Sequence, residues 1–223
     1  MISLIKNLIN PFFLLKKIHS RLYHFYKLHI VKDEFTMEVT RWFKDKGDET
    51  LRLNYPELTQ DSVVFDLGGY VGDFAFEINQ KYGSKVYLFE PHPEFFEICD
   101  KRFANNKNII TLNYGLSDTD GIFYLSDSVD GSSFLNPNHK GKKRLSCKLR
   151  DFFKVLEDLN ISKIDLMKIN IEGGEYPLLQ YISDKKKLKL VDQYQVQFHN
   201  FIDEAESKRN SIIKSLGDSH YQT

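Results

Sequence analysis

The stretch Val63-Val-Phe-Asp-Leu-Gly-Gly-Tyr-Val-Gly-Asp-Phe74 fixes the architecture expected of the whole chain. Val63, Val64, Phe65 and Leu67 are large or β-branched, which suits a strand buried on both faces. The run stops at Gly68 and Gly69, and paired glycines after a strand mark a sharp turn. Glycine is needed there if the backbone takes a positive φ, or if a ligand comes within contact distance of the main chain. From Gly72 and Asp73 onward, Phe74, Ile78 and Tyr82 fall on one helical face, so the expected unit is strand, turn, helix.

A second strand follows in Lys85-Val-Tyr-Leu-Phe-Glu-Pro91 and ends in an acid, Glu90. A carboxylate at about this separation from a glycine turn accepts the two hydroxyl hydrogen bonds of a ribose. The glycines run Gly-Gly-x-x-Gly rather than Gly-x-Gly-x-x-Gly, and Asp66 sits at the end of the first strand. A diphosphate prefers helix N-terminal amides with no carboxylate beside them, whereas an acid attracts a cation. The pattern therefore favours a nucleoside without pyrophosphate, and Asp66 suits the cationic methionine portion of S-adenosylmethionine.

With 223 residues the chain suits one α/β domain with an appendage, set at 1–58 for an N-terminal helical extension and 59–223 for the main domain. Lys plus Arg and Asp plus Glu are 31 each, so nothing global points to nucleic acid. The charge is unevenly spread: residues 1–32 hold six Lys/Arg and no acid, leaving 25 bases against 31 acids, a net of −6, in the remainder. Cys99 and Cys147 match neither a zinc spacing nor a disulfide framework, which suits a reducing compartment such as the cytoplasm. In residues 1–31, Ile2, Ile5, Leu8, Ile9 and Phe12 form a helical stripe, followed by bases interleaved with aromatics. The longest apolar run is about five residues, too short for a transmembrane span. Two readings stay open there: a helix packed on the domain or a partner, or a basic amphipathic helix peripheral to an anionic membrane at its inner face.

Along the chain, a helix with Phe35, Val39, Trp42 and Phe43 stops at Lys46-Gly47, and another is expected over 93–105. A third strand spans 108–114. Residues 121–149 resemble a hairpin insertion, with strands 122–125 and 144–147 around the polar loop 127–143. A helix over 151–160 precedes a fourth strand, Ile164-Asp-Leu-Met-Lys-Ile-Asn-Ile-Glu-Gly-Gly174. Alternation is expected to put Leu166, Lys168, Asn170 and Glu172 on one side of it, with Lys168 pairing with a buried acid. A helix over 175–182, a fifth strand over 191–198 ended by His199, and a last helix over 203–216 complete the reading.

Four of these stretches together resemble the FkbM family of S-adenosylmethionine-dependent methyltransferases: Val64 to Asp73, Phe89-Glu-Pro-His-Pro93, Gly115-Leu-Ser-Asp118, and Leu166 to Glu175. The resemblance covers roughly residues 60–215. It implies a Rossmann-like, doubly wound, mostly parallel α/β sheet and O-methylation of a hydroxyl on a sugar, glycan or secondary metabolite. By the same resemblance, Asp66, Gly68, Gly69, Tyr70, Gly72, Asp73, Glu90, Pro91, Leu116, Ser117 and Asn170 are the candidate S-adenosylmethionine-binding residues. Two departures stand out. Asn170 replaces the family's more frequent Asp, and the strands that usually follow the last helix are missing from a sequence that stops at Thr223. The crevice is expected between the turns at Asp66–Gly72 and Asn170–Gly173, and the candidate bases are His199 and Glu172, with no metal ligand set. An NAD-dependent oxidoreductase, disfavoured by the glycine pattern, and a non-catalytic nucleoside-binding or membrane-recruited scaffold are the rival classes.

Overall fold

The computed structural model describes residues 11–126 and 144–221, which form two compact units, Met1–Asn54 and Tyr55–Thr223. The expected stripe from Ile2 to Ile9 and the polar loop 127–143 lie outside the described residues.

In the larger unit, strands β1 (Val63–Leu67), β2 (Lys85–Phe89), β3 (Ile109–Leu112), β7 (Ile164–Ile169) and β8 (Val191–Val196) form a parallel sheet ordered β3-β2-β1-β7-β8. Helices α4 (Asp73–Tyr82), α5 (Pro93–Phe103), α6 (Phe152–Asp158), α7 (Glu175–Asp184) and α8 (Ala205–Gly217) alternate with the strands. This is the Rossmann-like α/β fold expected from the sequence. Phe65, Leu67, Phe89, Met167 and Ile169 share a core with Phe152 and Val155 of α6, Leu178, Leu179 and Ile182 of α7, and Ile212 of α8. Val64, Val86 and Leu88, which alternate with them along the strands, are also fully buried, as is Ile78 of α4. Burial on both faces explains why these strands read as continuous apolar runs, each large side chain contributing about 1.5–3 kcal/mol.

Local signals set the helix ends. Gly83 leaves α4 with φ 73° while its N–H returns to the Asn79 carbonyl at 2.8 Å, a left-handed stop that glycine takes without strain. Pro93 opens α5 at a position where its missing N–H costs nothing. Asp151 caps α6 by accepting the Lys154 N–H at 3.0 Å.

Two expectations need correction. The third strand, expected over 108–114, ends at Leu112, and residues 115–117 form a strand of their own, β4 (Gly115–Ser117), which pairs with β6 (Arg144–Asp151) in a separate sheet whose other edge is β5 (Gly121–Ser126). Strand β5 (Gly121–Ser126) and β6 make the expected antiparallel pair. Second, β7 ends at Ile169, so its alternation does not reach Glu172. Glu172 (φ 51°) and Gly173 (φ 100°) both take left-handed backbone, which turns the chain out of the sheet.

The smaller unit contains α1 (Pro11–Tyr26), a π-helical turn Lys27–Val31, α2 (Glu34–Lys44) and α3 (Gly47–Thr50). Asp33 caps α2 by accepting the Thr36 N–H at 3.1 Å and pairs with Lys27 at 3.0 Å. No described helix is long and apolar enough to cross a membrane.

Gly68 sits where β1 leaves the sheet, at φ 77°, and a Cβ added there would lie 2.0 Å from the Asn170 carbonyl oxygen. Backbone cannot yield as a flexible side chain does. Gly68→Ala should therefore lower stability by roughly 3 kcal/mol in urea unfolding, the size of a strained-backbone clash. A loss below about 1 kcal/mol would show that the two turns separate easily.

Candidate active site

Strand order reverses at β1, whose neighbours are β2 on one side and β7 on the other, and the turns after β1 and β7 diverge from that point. Ligands of open α/β sheets bind at such a switch point. The Asn170 N–H donates to the Leu67 carbonyl at 3.0 Å, so the two turns start in register.

Lys168 organises the floor. Its ammonium donates to Asp66 Oδ1 and to the Gly68 carbonyl, both at 2.8 Å. Asp66 is 0% exposed, so the expected pairing of Lys168 with a buried acid is present. The idea that Asp66 lends its charge to a cationic ligand must be narrowed accordingly. Lys168 already neutralises Oδ1, and only Oδ2, buried without a hydrogen-bond partner, is left to take a donor. Asn170 Oδ1 and His92 Nδ1 are likewise buried and unpartnered, at the ends of β7 and β2.

Glu90 joins the turns after β1 and β2. Its Oε2 accepts the Tyr70 N–H at 2.7 Å and its Oε1 the His92 N–H at 2.8 Å. Burial pushes its pKa up to about 7, opposed by the two amides, raised further by Asp66 and eased by Lys168. Tyr70 is held at φ 52° with its ring exposed and edge-on to Phe95, the centroids 4.5 Å apart. Its carbonyl accepts from the Cys99 thiol at 3.0 Å. Burial raises the thiols of Cys99 to about 12 and Cys147 to about 11, so both stay protonated and unreactive.

The other candidates divide. Pro91, Leu116 and Gly68 line one apolar cleft with Leu67, Phe89 and Ile171. Ser117 is buried and donates to Asp118 at 2.9 Å. Asp73 is taken by Arg102 at 2.6 Å, and Arg102 also donates to the Val71 carbonyl at 2.7 Å. Gly69 and Gly72 face the protein: an added Cβ would meet Leu88 or Phe103 at 2.5 Å. These glycines admit close packing, so ligand contact is not needed to explain them.

One buried acid is a residue that the sequence did not single out. Glu175, the first residue of α7, is fully buried. Its Oε1 accepts from the His199 N–H at 2.8 Å and lies 3.0 Å from His199 Nδ1, while Oε2 accepts the Gly173 N–H at 2.8 Å. Glu175, not Glu172, takes the Gly173 amide. Glu172 Oε1 lies 3.5 Å from His199 Nε2. Burial draws the imidazole pKa down, but the Glu175 hydrogen bond and the charges of Glu175 and Glu172 outweigh it, leaving His199 above its ordinary value of 6.5. The repeated Glu-x-x-Glu at 172–175 was the available signal. Spacing alone cannot say which glutamate turns inward. Among the described residues, no group of three or more His, Cys, Asp or Glu could hold a metal ion.

A glycine turn and an acid after β2 thus meet at the switch point of a Rossmann-like sheet, with a His–Glu pair formed between the start of α7 and the loop after β8. A family model described as the methyltransferase FkbM domain matches residues 66–221, and the chain belongs to that family. It is 25% identical to methyltransferase sdnD of Sordaria araneosa, over 57% of this chain and 63% of that protein. It is 24% identical to methyltransferase 1 of Beauveria bassiana (strain ARSEF 2860), over 56% of this chain and 60% of that one. The chain thus spans less than two thirds of the length of these relatives. A solved FkbM methyltransferase from Methylobacillus flagellatus KT shares 14% identity, covers 71% of this chain and 38% of that one, and superposes with a TM-score of 0.47.

The family implies S-adenosylmethionine as cofactor, and the residues present fit it. Glu90 suits a ribose diol, and the unpartnered Asp66 Oδ2 and Asn170 Oδ1 suit an ammonium donor.

The Lys168–Asp66 pair yields a stability prediction. Lys168→Met leaves a fully buried carboxylate unpaired and should cost about 3–5 kcal/mol in urea unfolding. The double change Lys168→Met/Asp66→Leu should recover most of that loss. Equal destabilisation by the single and double variants would mean that packing, not charge, is at stake.

Proposed function

We propose that this chain is an S-adenosylmethionine-dependent O-methyltransferase whose acceptor is a hydroxyl of a sugar, glycan or secondary metabolite. The observation that carries the reading is the pairing of buried Glu175 with His199, which offers a basic imidazole nitrogen in the loop three residues past the end of β8, rather than at the strand end expected, and two strands from β1. An alcohol has a very high pKa, so its proton must leave as the new bond to oxygen forms. Glu175 holds Nδ1–H as the donor, and this leaves Nε2 as the acceptor. His199 Nε2 then takes the hydroxyl proton, and Glu172, 3.5 Å away, stabilises the imidazolium. Tyr176 fixes the same residue from behind by donating to the His199 carbonyl at 3.0 Å. S-adenosylmethionine, when bound, supplies an already activated methyl group, so the protein's tasks are alignment and proton removal.

His199→Ala should lower kcat by about 10²–10⁴-fold while leaving S-adenosylmethionine affinity unchanged. Methyl transfer from labelled S-adenosylmethionine into extract metabolites provides the assay. Because the base acts unprotonated, the wild-type rate should fall as pH drops below a value above 6.5. Glu175→Gln should move that limb downward. A limb that survives in His199→Ala but vanishes in Glu172→Gln would give the role to Glu172. Cofactor binding with no transfer to any acceptor would instead favour the binding-scaffold class.

Glu90 gives the cofactor half of the reading a separate test. A ribose diol donates to the ionised carboxylate, so binding expels the proton that Glu90 carries below about pH 7. Calorimetric affinity for S-adenosylmethionine should rise as pH approaches 7 and then level off, with NAD not binding. Affinity independent of pH in this window would remove Glu90 from the ribose. Stability should move the other way. The raised pKa gives a contribution complete below the ordinary 4.5 and lost as pH rises through about 7, and Glu90→Gln should abolish this slope in ligand-free protein.

A further inference from the structure

We infer that the Met1–Asn54 unit docks on an anionic lipid surface through the apolar face of the helix running from α1 into the π-helical turn. Leu22, Phe25 and Tyr26 follow the i, i+3, i+4 spacing of one helical face and are 64%, 56% and 49% exposed. Ile30, 66% exposed, continues the stripe. The opposite side is in use: His24 Nε2 lies 3.3 Å from the Thr40 hydroxyl of α2. An apolar stripe of this size on one face of a helix marks a surface that meets something.

Charge decides what it meets. Residues 1–32 carry six Lys/Arg and no acid, and of these Arg21 and Lys32 are exposed beside the stripe while Lys27 is paired with Asp33. A second copy docked through the same face would bring the exposed Arg21 and Lys32 of each copy together, which an isologous interface disfavours. An anionic lipid headgroup layer complements them, and the mix of Leu, Ile, Phe and Tyr suits the boundary between headgroups and acyl chains. The helix lies in that plane. This inference is independent of the methyl-transfer reading.

The test is sedimentation of the full chain with vesicles of phosphatidylcholine, alone or mixed with phosphatidylglycerol, in low and high salt. Binding is expected only with phosphatidylglycerol present and should be reversed by salt. Leu22→Glu/Phe25→Glu should lower the partition coefficient more than tenfold. Emission from Trp42, the sole tryptophan, reports whether the unit is still folded. If that variant unfolds the unit, Arg21→Glu/Lys32→Glu decides alone, since surface charge reversal leaves packing intact and should also lower partitioning more than tenfold. Sedimentation that is absent, equal on neutral vesicles or unchanged in the variants overturns the inference. So does a concentration-dependent dimer that Leu22→Glu/Phe25→Glu dissolves while wild type ignores vesicles.

Discussion

One partly buried cation holds the centre of the larger unit. Lys168 reaches from β7 to the carboxylate of Asp66 on β1 and to the carbonyl of Gly68, where the chain leaves the sheet. Desolvating an acid is costly, and a buried pair repays this only when geometry is good and further hydrogen bonds satisfy the ammonium. Here the geometry is good and the ammonium makes a second bond, but Asp66 Oδ2 is left without a partner. The pair therefore does more to specify than to stabilise: it fixes β1 against β7 and the first glycine turn over β7's end. Parallel strands of apolar side chains carry little positional information of their own, so a polar latch at the switch point supplies it.

Glu90 extends that organisation to β2 by accepting one amide from each of the turns it joins. A carboxyl in this position is poised between charge states, since burial favours the neutral form and the two amides favour the charged one. In the proposed reading a hydroxyl-rich ligand tips the balance toward charge, which would link cofactor occupancy to the same group that shapes the turn. At Gly69 and Gly72 packing alone accounts for the glycine, because protein atoms already fill the space that a side chain would need.

The sheet was largely legible in the sequence because doubly buried parallel strands leave continuous apolar runs ended by glycine or acid, as at Val63–Leu67 and Lys85–Phe89. What escaped was short or long-range. Strand β4 has three residues and no periodicity to detect, and it exists because β6, distant in sequence, pairs with it. The left-handed turn at Glu172 cuts β7 short of the expected alternation, since a glutamate there gives no local warning of positive φ. Glu175 lay inside the quoted motif, yet its role depends on His199 arriving from β8, a contact across 24 residues.

Asn170 becomes intelligible within this charge balance. The switch point already holds two buried carboxylates, Asp66 and Glu90, against one lysine, and Asp66 raises the Glu90 pKa while Lys168 lowers it. An aspartate at 170 would add a third carboxylate at the end of β7, needing either another cation or a proton. The amide keeps an acceptor oxygen there without the charge, and Oδ1 is left unpartnered to receive a ligand donor. The same exchange removes a base from the end of β7. In the proposed reaction the proton must then go one strand further out, where buried Glu175 holds the imidazole of His199 with its far nitrogen toward Glu172. A neutral Asn170 and a carboxylate-supported His199 are thus mutually consistent: the charge avoided at the centre of the sheet is placed next door, where a histidine can use it.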